Sequence, residues 1–314
     1  MPCAQQGGPA GFSPKVTQKT MPHPAFSSRL RSQAQICVLA TALSILPSAL
    51  HAEQVQTPVA APSSVATPAK ENPDKPAGYL KKSELPDSLT ILPPPPQPGT
   101  PAFTLNEVVH TRAAELRGTP RWNLAIQDAD LREGGAINAF SCALGVNVSP
   151  QTTPRLYTML LRALRDTARS TNAAKNHYQF TRPFAARGET TCTPEKEPSL
   201  LDNGSYPSAH SARGWALSLI LTELAPDRVN ELMSRARAYG QSRLVCNAHW
   251  QSDVLQGRVM ADATVARLHA VPDFMQDMSV ARTELAAARA AGDLPKRDCA
   301  AEAEALKTSI PDAY

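Results

Sequence analysis

Three separated stretches of the chain gather side chains suited to holding a tetrahedral oxyanion. The first is Lys175-Asn176-His177-Tyr178-Gln179-Phe180-Thr181-Arg182-Pro183, with a cation near each end. The second is Gly204-Ser205-Tyr206-Pro207-Ser208-Ala209-His210, and the third runs from Ser242-Arg243 to His249-Trp250-Gln251-Ser252-Asp253. In the third, His249 and Asp253 lie four apart, so on a helix they share a face. A carboxylate that accepts the proton of one imidazole nitrogen fixes the tautomer and leaves the other nitrogen as a nucleophile. Arg243, six residues before His249, falls roughly 240° round a continuous helix. Either it precedes that helix or its long side chain reaches round. In the second stretch Gly204 and Pro207 mark a turn, and a helix starting near Ser208 would offer free N–H groups and partial positive charge to an anion. His210 in that first turn could give a proton to a departing oxygen. Lys175 and Arg182 read as two cations on a loop. Taken singly, each stretch is commonplace: a surface His–Asp pair, a capped helix start, solvated charge.

Together they resemble the signature of the acid phosphatase and vanadium haloperoxidase superfamily: Lys, six residues, Arg-Pro; then Pro-Ser-Gly-His; then Ser-Arg, five residues, His, three residues, Asp. Each element is present in order and with its internal spacing. The contexts Gly204-Ser205-Tyr206-Pro207-Ser208 and His249-Trp250-Gln251-Ser252-Asp253 are similar to those of the class A bacterial nonspecific acid phosphatases. So are Leu85-Pro86-Asp87-Ser88 and Arg117-Gly118-Thr119-Pro120-Arg121-Trp122. The likeness covers roughly residues 79–270 and extends toward the tail. It implies an all-α fold and hydrolysis of a broad range of phosphate monoesters, with phosphotransfer to other alcohols as a further outlet. It also implies roles. Lys175, Arg182 and Arg243 would bind the phosphoryl oxygens with Ser208 and the backbone N–H of Ala209. His249 would attack phosphorus, Asp253 would orient it, and His210 would serve as general acid and then base. Three cations would supply the charge, so no metal or other cofactor is expected, and vanadate would act as an inhibitor.

The departure from the pattern is Ala209, where the family has Gly. Its backbone donor survives; a positive φ there would cost about 1–2 kcal/mol, whereas a negative φ would leave only a methyl crowding the anion. Retained activity is expected. Two rival readings are a vanadate-dependent haloperoxidase, with vanadate as cofactor in the same cradle, and a phosphate-binding protein that has lost turnover. His177, His110 and His269 read as surface or packing residues. Trp122, Trp215 and Trp250 read as core aromatics, with Trp250 also placed to wall the site.

The elements that must position these groups read as helices from Phe103 onward. Thr153-Pro154 supplies an N-cap and a proline at the first helical position; Leu156, Met159, Leu160, Ala163, Leu164 and Thr167 then recur at helical spacing. Thr119-Pro120 opens a second helix and Ser208 a third. Further stretches run over about 226–238, 242–268 and 272–291, and an Ala- and Glu-rich tail over 281–306 reads as helical and packed or peripheral. Alternating strand-like runs are scarce.

Upstream, Arg29 and Arg31 precede an apolar run from Ile36 to Leu46 and a small-residue exit at His51-Ala52, the pattern of a secretory leader over 1–52, with Met21 as an alternative start. Export to the periplasm or medium is expected. Residues 53–102 hold 12 of the 29 prolines, so 53–78 reads as a disordered tether, and Tyr79, Leu80, Leu85, Leu89, Ile91 and Leu92 as the start of an ordered domain over 79–314. Cys142, Cys192, Cys246 and Cys299 remain after the leader and allow three pairings. The pairings Cys142–Cys192 and Cys246–Cys299 close the shorter loops and are preferred here. The leader carries four of the 32 basic residues and no acid, leaving 28 against 28 acidic groups. A nucleic-acid polymer is therefore no expected partner. No apolar stretch reaches a bilayer span, which excludes integral membrane association; small phosphate monoesters are the expected partners, and homo-oligomerisation stays open.

Overall fold

A computed structural model gives the fold and describes residues 76–310. The leader and the tether up to residue 75 lie outside the described residues. Among the described residues the regular structure is entirely helical, in one compact unit. Nine helices of seven or more residues are α1 (Pro101–Ala114), α2 (Pro120–Asp128), α3 (Pro154–Ser170), α4 (Asn172–Tyr178), α5 (Ala209–Leu224), α6 (Val229–Val245), α7 (Gln251–Leu268), α8 (Pro272–Ala290) and α9 (Cys299–Leu306). None is long and apolar enough to cross a membrane.

The start signals have identifiable chemistry. Thr100 and Thr119 accept a hydrogen bond from the third helical N–H of α1 and α2, each with proline at the first helical position. The helix at the centre is α5, which packs against α3, α6, α7 and α8. Its Ala212, Ala216, Leu217, Ile220, Leu221 and Leu224 are buried, and a helix apolar on nearly every side belongs inside a bundle. By contrast α3 turns Leu156, Met159, Leu160, Ala163 and Leu164 to the core and its arginines toward solvent.

Two close approaches depend on glycine. A Cβ on Gly257 would stand 2.5 Å from the Ser208 carbonyl oxygen, so its absence lets α7 press against the head of α5. A Cβ on Gly214 would stand 2.2 Å from the Tyr239 ring, which brings α6 onto the same end of α5.

The N-terminal pins hold in part. Leu80 and Leu92 are buried and Tyr79 and Leu85 pack on the core, but Leu89 and Ile91 face solvent. The proline run passes the site, where the Tyr206 hydroxyl donates to the Pro93 carbonyl at 2.6 Å.

Three expectations are corrected. The 242–268 stretch is two helices: α6 ends at Val245, and Asn247 turns the chain with φ of 61° before α7 starts at Gln251. Lys175 lies in α4, not on a loop, and is buried. The disulfides are Cys142–Cys299 and Cys192–Cys246, not the pairs that close the shorter loops. Loop length is a property of the unfolded chain, whereas pairing needs Cα atoms within about 7 Å. The Cys192 N–H donates to the Cys246 carbonyl at 3.1 Å, and α9 packs on α2, bringing Cys299 to within 5.5 Å of Cys142.

Candidate active site

Lys175, Arg182, Ser208, His210, Arg243, His249 and Asp253 are all buried and gather around the head of α5. Ser208 caps that helix through its hydroxyl, which accepts from the Ser211 N–H at 3.1 Å. Its own N–H donates to the Asp253 carbonyl at 2.9 Å, tying α5 to the first turn of α7. The N–H groups of Ala209 and His210 precede the first intrahelical bond, as a helix start leaves them for an outside acceptor. Ala209 is the first helical residue and its φ is not positive, so the substitution strains no backbone. Only the methyl remains as a difference.

His249 and Asp253 are not on one helical face, as their spacing suggested. His249 lies in the turn before α7, and Asp253 is in the helix's first turn, accepting from the Trp250 N–H at 2.8 Å. The Asp253 Oδ2 lies 3.2 Å from His249 Nδ1. On the other side of the ring, Arg182 Nη1 lies 3.0 Å from Nε2. A guanidinium has no acceptor, so Nε2 must accept and the proton sits on Nδ1. The network therefore assigns the tautomer with its lone pair facing the cations.

Each cation is set by its own contacts. Lys175 Nζ donates to the Gly204 carbonyl at 2.7 Å and that of Ser205 at 3.3 Å. Arg182 is fixed by the carbonyls of Leu200 and Ala248 and by the Asn203 side chain. Arg243 lies in the last turn of α6 and so precedes the helix that carries Asp253. Its Nε and Nη1 are buried with no protein partner, and one face of the residue lines a cavity of about 290 Å³. Burial lowers the Lys175 ammonium well below its ordinary range and brings Arg182 and Arg243 down to about 10.

Burial also governs the acids and bases. It holds His249 well below the usual imidazole range, helped by Arg182, Lys175 and Arg243. His210 is depressed by burial, then by Arg243 and Arg213, against a hydrogen bond that its ring donates to the Asp128 main-chain carbonyl. Its ring stacks on Tyr239 with centroids 4.6 Å apart, and its Nε2 is without a partner. Asp253 is pushed up to about 6 by burial, against the Ser205 hydroxyl, the Trp250 N–H and the charges of Lys175 and Arg182.

The structure adds three residues. The Ser205 hydroxyl donates to Asp253 Oδ2 and lies 3.3 Å from His249 Nδ1. Tyr239 supports the His210 ring. Asp128 is paired with Arg235 and accepts from the Ser242 hydroxyl at 2.6 Å. Ser242 thus anchors α6 and is turned to Asp128 and Arg121, not to the cluster of cations. Ser205 was visible in its stretch, but nothing in the spacing of Tyr239 or Asp128 marks them. Trp250 is buried beside the site and donates to the Thr181 carbonyl; Trp122 and Trp215 are half-buried. His177 is exposed, His110 pairs with Glu189, and His269 with Glu223. Among the described residues no group of three or more His, Cys, Asp or Glu side chains is placed to hold a metal.

A helical bundle with a buried cationic cradle around a carboxylate-oriented histidine defines a member of the PAP2 superfamily, whose family model matches residues 155–275. The chain is 40% identical over 209 residues to the non-specific acid phosphatase of Providencia stuartii, covering 66% of this chain and 84% of that one. It is 39% identical over 209 residues to the acid phosphatase of Zymomonas mobilis, covering 67% and 79%. To the non-specific acid phosphatase of Salmonella typhimurium it is 39% identical over 208 residues, covering 66% and 83%. The chain belongs to the bacterial nonspecific acid phosphatases.

Proposed function

We propose that this chain is an exported acid phosphatase that passes the phosphoryl group of phosphate monoesters through His249 to water. The observation that carries the reading is the orientation of His249, whose Nδ1 faces Asp253 at 3.2 Å while Nε2 faces Arg182 at 3.0 Å. In the first step the Nε2 lone pair forms a bond to phosphorus as the ester P–O bond breaks, and His210 gives its proton to the leaving oxygen. In the second step His210 takes a proton from water, the water oxygen bonds to phosphorus, and the P–N bond breaks to return the lone pair to Nε2. Lys175, Arg182, Arg243 and the N–H groups at the head of α5 hold the equatorial oxygens, whose charge is spread in the transition state. An acceptor alcohol in place of water gives phosphotransfer. Broad tolerance follows because these contacts address the phosphoryl group and not the alcohol.

The proton inventory gives a bell-shaped profile. With its depressed pKa, His249 stays neutral and nucleophilic through the acid range. Below about pH 6 Asp253 takes up a proton and ceases to accept from Nδ1, so kcat/KM falls with acid. The proton needed by the leaving group is shared between His210 and the ester, whose second pKa is near ~6. A bound dianion raises His210 against its depressed value, and deprotonation of the pair with rising pH removes activity. Hydrolysis of p-nitrophenyl phosphate by residues 53–314, scanned from pH 4 to 9 without added metal, should peak in the acid range and vanish in His249→Ala. Well-folded protein without turnover would overturn the reading, and bromide oxidation on adding vanadate would replace it with a haloperoxidase.

A further inference from the structure

The cavity beside Arg243 carries charge that the phosphoryl chemistry does not use. Its inner end is formed by Arg243 and by Leu200, whose carbonyl accepts from Arg182 Nε at 2.7 Å, so it starts at the phosphoryl cradle. Outward it is walled by Leu131 and by Lys196, Arg132 and Asp130. Lys196 is half-buried, and its ammonium donates to the Ala129 carbonyl at 3.0 Å. That bond fixes the group at the wall and uses one of its three N–H donors. Lys196 is also among the cations whose field reaches His210. Ala129 directly follows Asp128, whose main chain bonds His210, so Lys196 stands on the proton donor's side of the site, where the leaving alcohol lies. Arg132 grips Asp130 through two bonds, Nε to Oδ1 at 3.0 Å and Nη2 to Oδ2 at 3.1 Å. The pair cancels, and Lys196 remains as the net positive charge of the outer wall.

We infer that Lys196 recognises a second anionic group on the leaving alcohol, making phosphate monoesters that carry a carboxylate or further phosphate the preferred substrate class. Arg132 acts as a positioning residue: it neutralises Asp130, which would otherwise repel such a group from the same wall. The inference rests on the phosphatase reading above and concerns only the alcohol half of the substrate. A lysine at a half-exposed wall is worth a modest discrimination, about fivefold in kcat/KM.

The test compares p-nitrophenyl phosphate with 3-carboxy-4-nitrophenyl phosphate, two chromogenic esters that differ by one carboxylate remote from the reacting bond. The full-length mature protein should favour the carboxylated ester by about fivefold, mainly through KM, with the preference shrinking as salt rises. In Lys196→Gln the ratio should fall to about one, and Lys196→Arg should restore it. Arg132→Gln, at an exposed position, should lower the ratio by freeing the Asp130 charge. A wild-type ratio of one, or a ratio unchanged in Lys196→Gln and Arg132→Gln while p-nitrophenyl phosphate is still turned over, overturns the inference. Turnover of neither ester by the wild type overturns the phosphatase reading itself.

Discussion

In the proposed mechanism Arg243 trades stability for anion binding. Its guanidinium is buried, two of its nitrogens have no protein partner, and burial brings its pKa down to about 10. A folded-state pKa below the unfolded one means that at neutral pH the protonated group opposes folding, here by on the order of 3 kcal/mol. That cost is present below about pH 10 and disappears only as pH rises past the unfolded value. In the proposed reaction an arriving phosphoryl group would supply the missing charge and acceptors. Arg243→Met should therefore raise the phosphate-free melting temperature by several degrees and lower kcat/KM by about a thousandfold; thermal melts beside steady-state kinetics read both. A variant less stable than the parent would show that unlocated partners already satisfy the guanidinium. At this scale the sequence was most readable, since the resemblance to the family signature pointed to Lys175, Arg182, Ser208, His210, Arg243, His249 and Asp253, and all seven are buried. Ser205 escaped because a serine in a turn is ordinary until Asp253 is seen to accept its proton. Tyr239 and Asp128 escaped because they act by packing under the site from α6 and α2.

The elements matter through two junctions. Between α6 and α7 the chain folds back on itself, with the Ala248 and His249 N–H groups both donating to the Arg243 carbonyl at 3.0 and 3.3 Å. This turn keeps His249 beside the end of α6 that carries Arg243. Apolar periodicity runs through both helices and gives no sign of the break, which is set by the left-handed Asn247 and by the packing of each helix on α5. The second junction is Gly257 against Ser208. A methyl group there meets a backbone oxygen at 2.5 Å, which cannot swing aside as a flexible side chain would. Gly257→Ala should push α7, with Asp253 one turn earlier, away from the head of α5. We expect a loss of about 10- to 100-fold in kcat with about 1–3 kcal/mol of stability, read from kinetics and urea midpoints. Activity within twofold of wild type would mean the junction is slack. The same geometry explains why Lys175 was misplaced: α4 is only seven residues long, too short for apolar periodicity to announce it.

Across the whole molecule, residues some seventy positions apart in the chain meet in one buried site, and two covalent ties close the frame around it. The Cys192–Cys246 bond joins the segment after Arg182 to the turn that carries His249, and Cys142–Cys299 secures α9. By chain entropy they are worth about 4 and about 5 kcal/mol, the longer loop gaining more. The helical class was legible from the proline-capped starts and the apolar spacing. The pairing was not, because it depends on which helices pack together.

The central claim is a covalent phosphoryl–histidine bond at His249, and rapid acid-free quenching of the enzyme during turnover of a 32P-labelled aryl phosphate tests it most directly. The account predicts label bound to protein through a linkage that survives alkali and is lost in acid, located at His249, and absent in His249→Ala. Label should accumulate further in His210→Ala, where the second step lacks its base. Turnover in the wild type with no such adduct at any quench time, and full activity retained in His249→Ala, would contradict it.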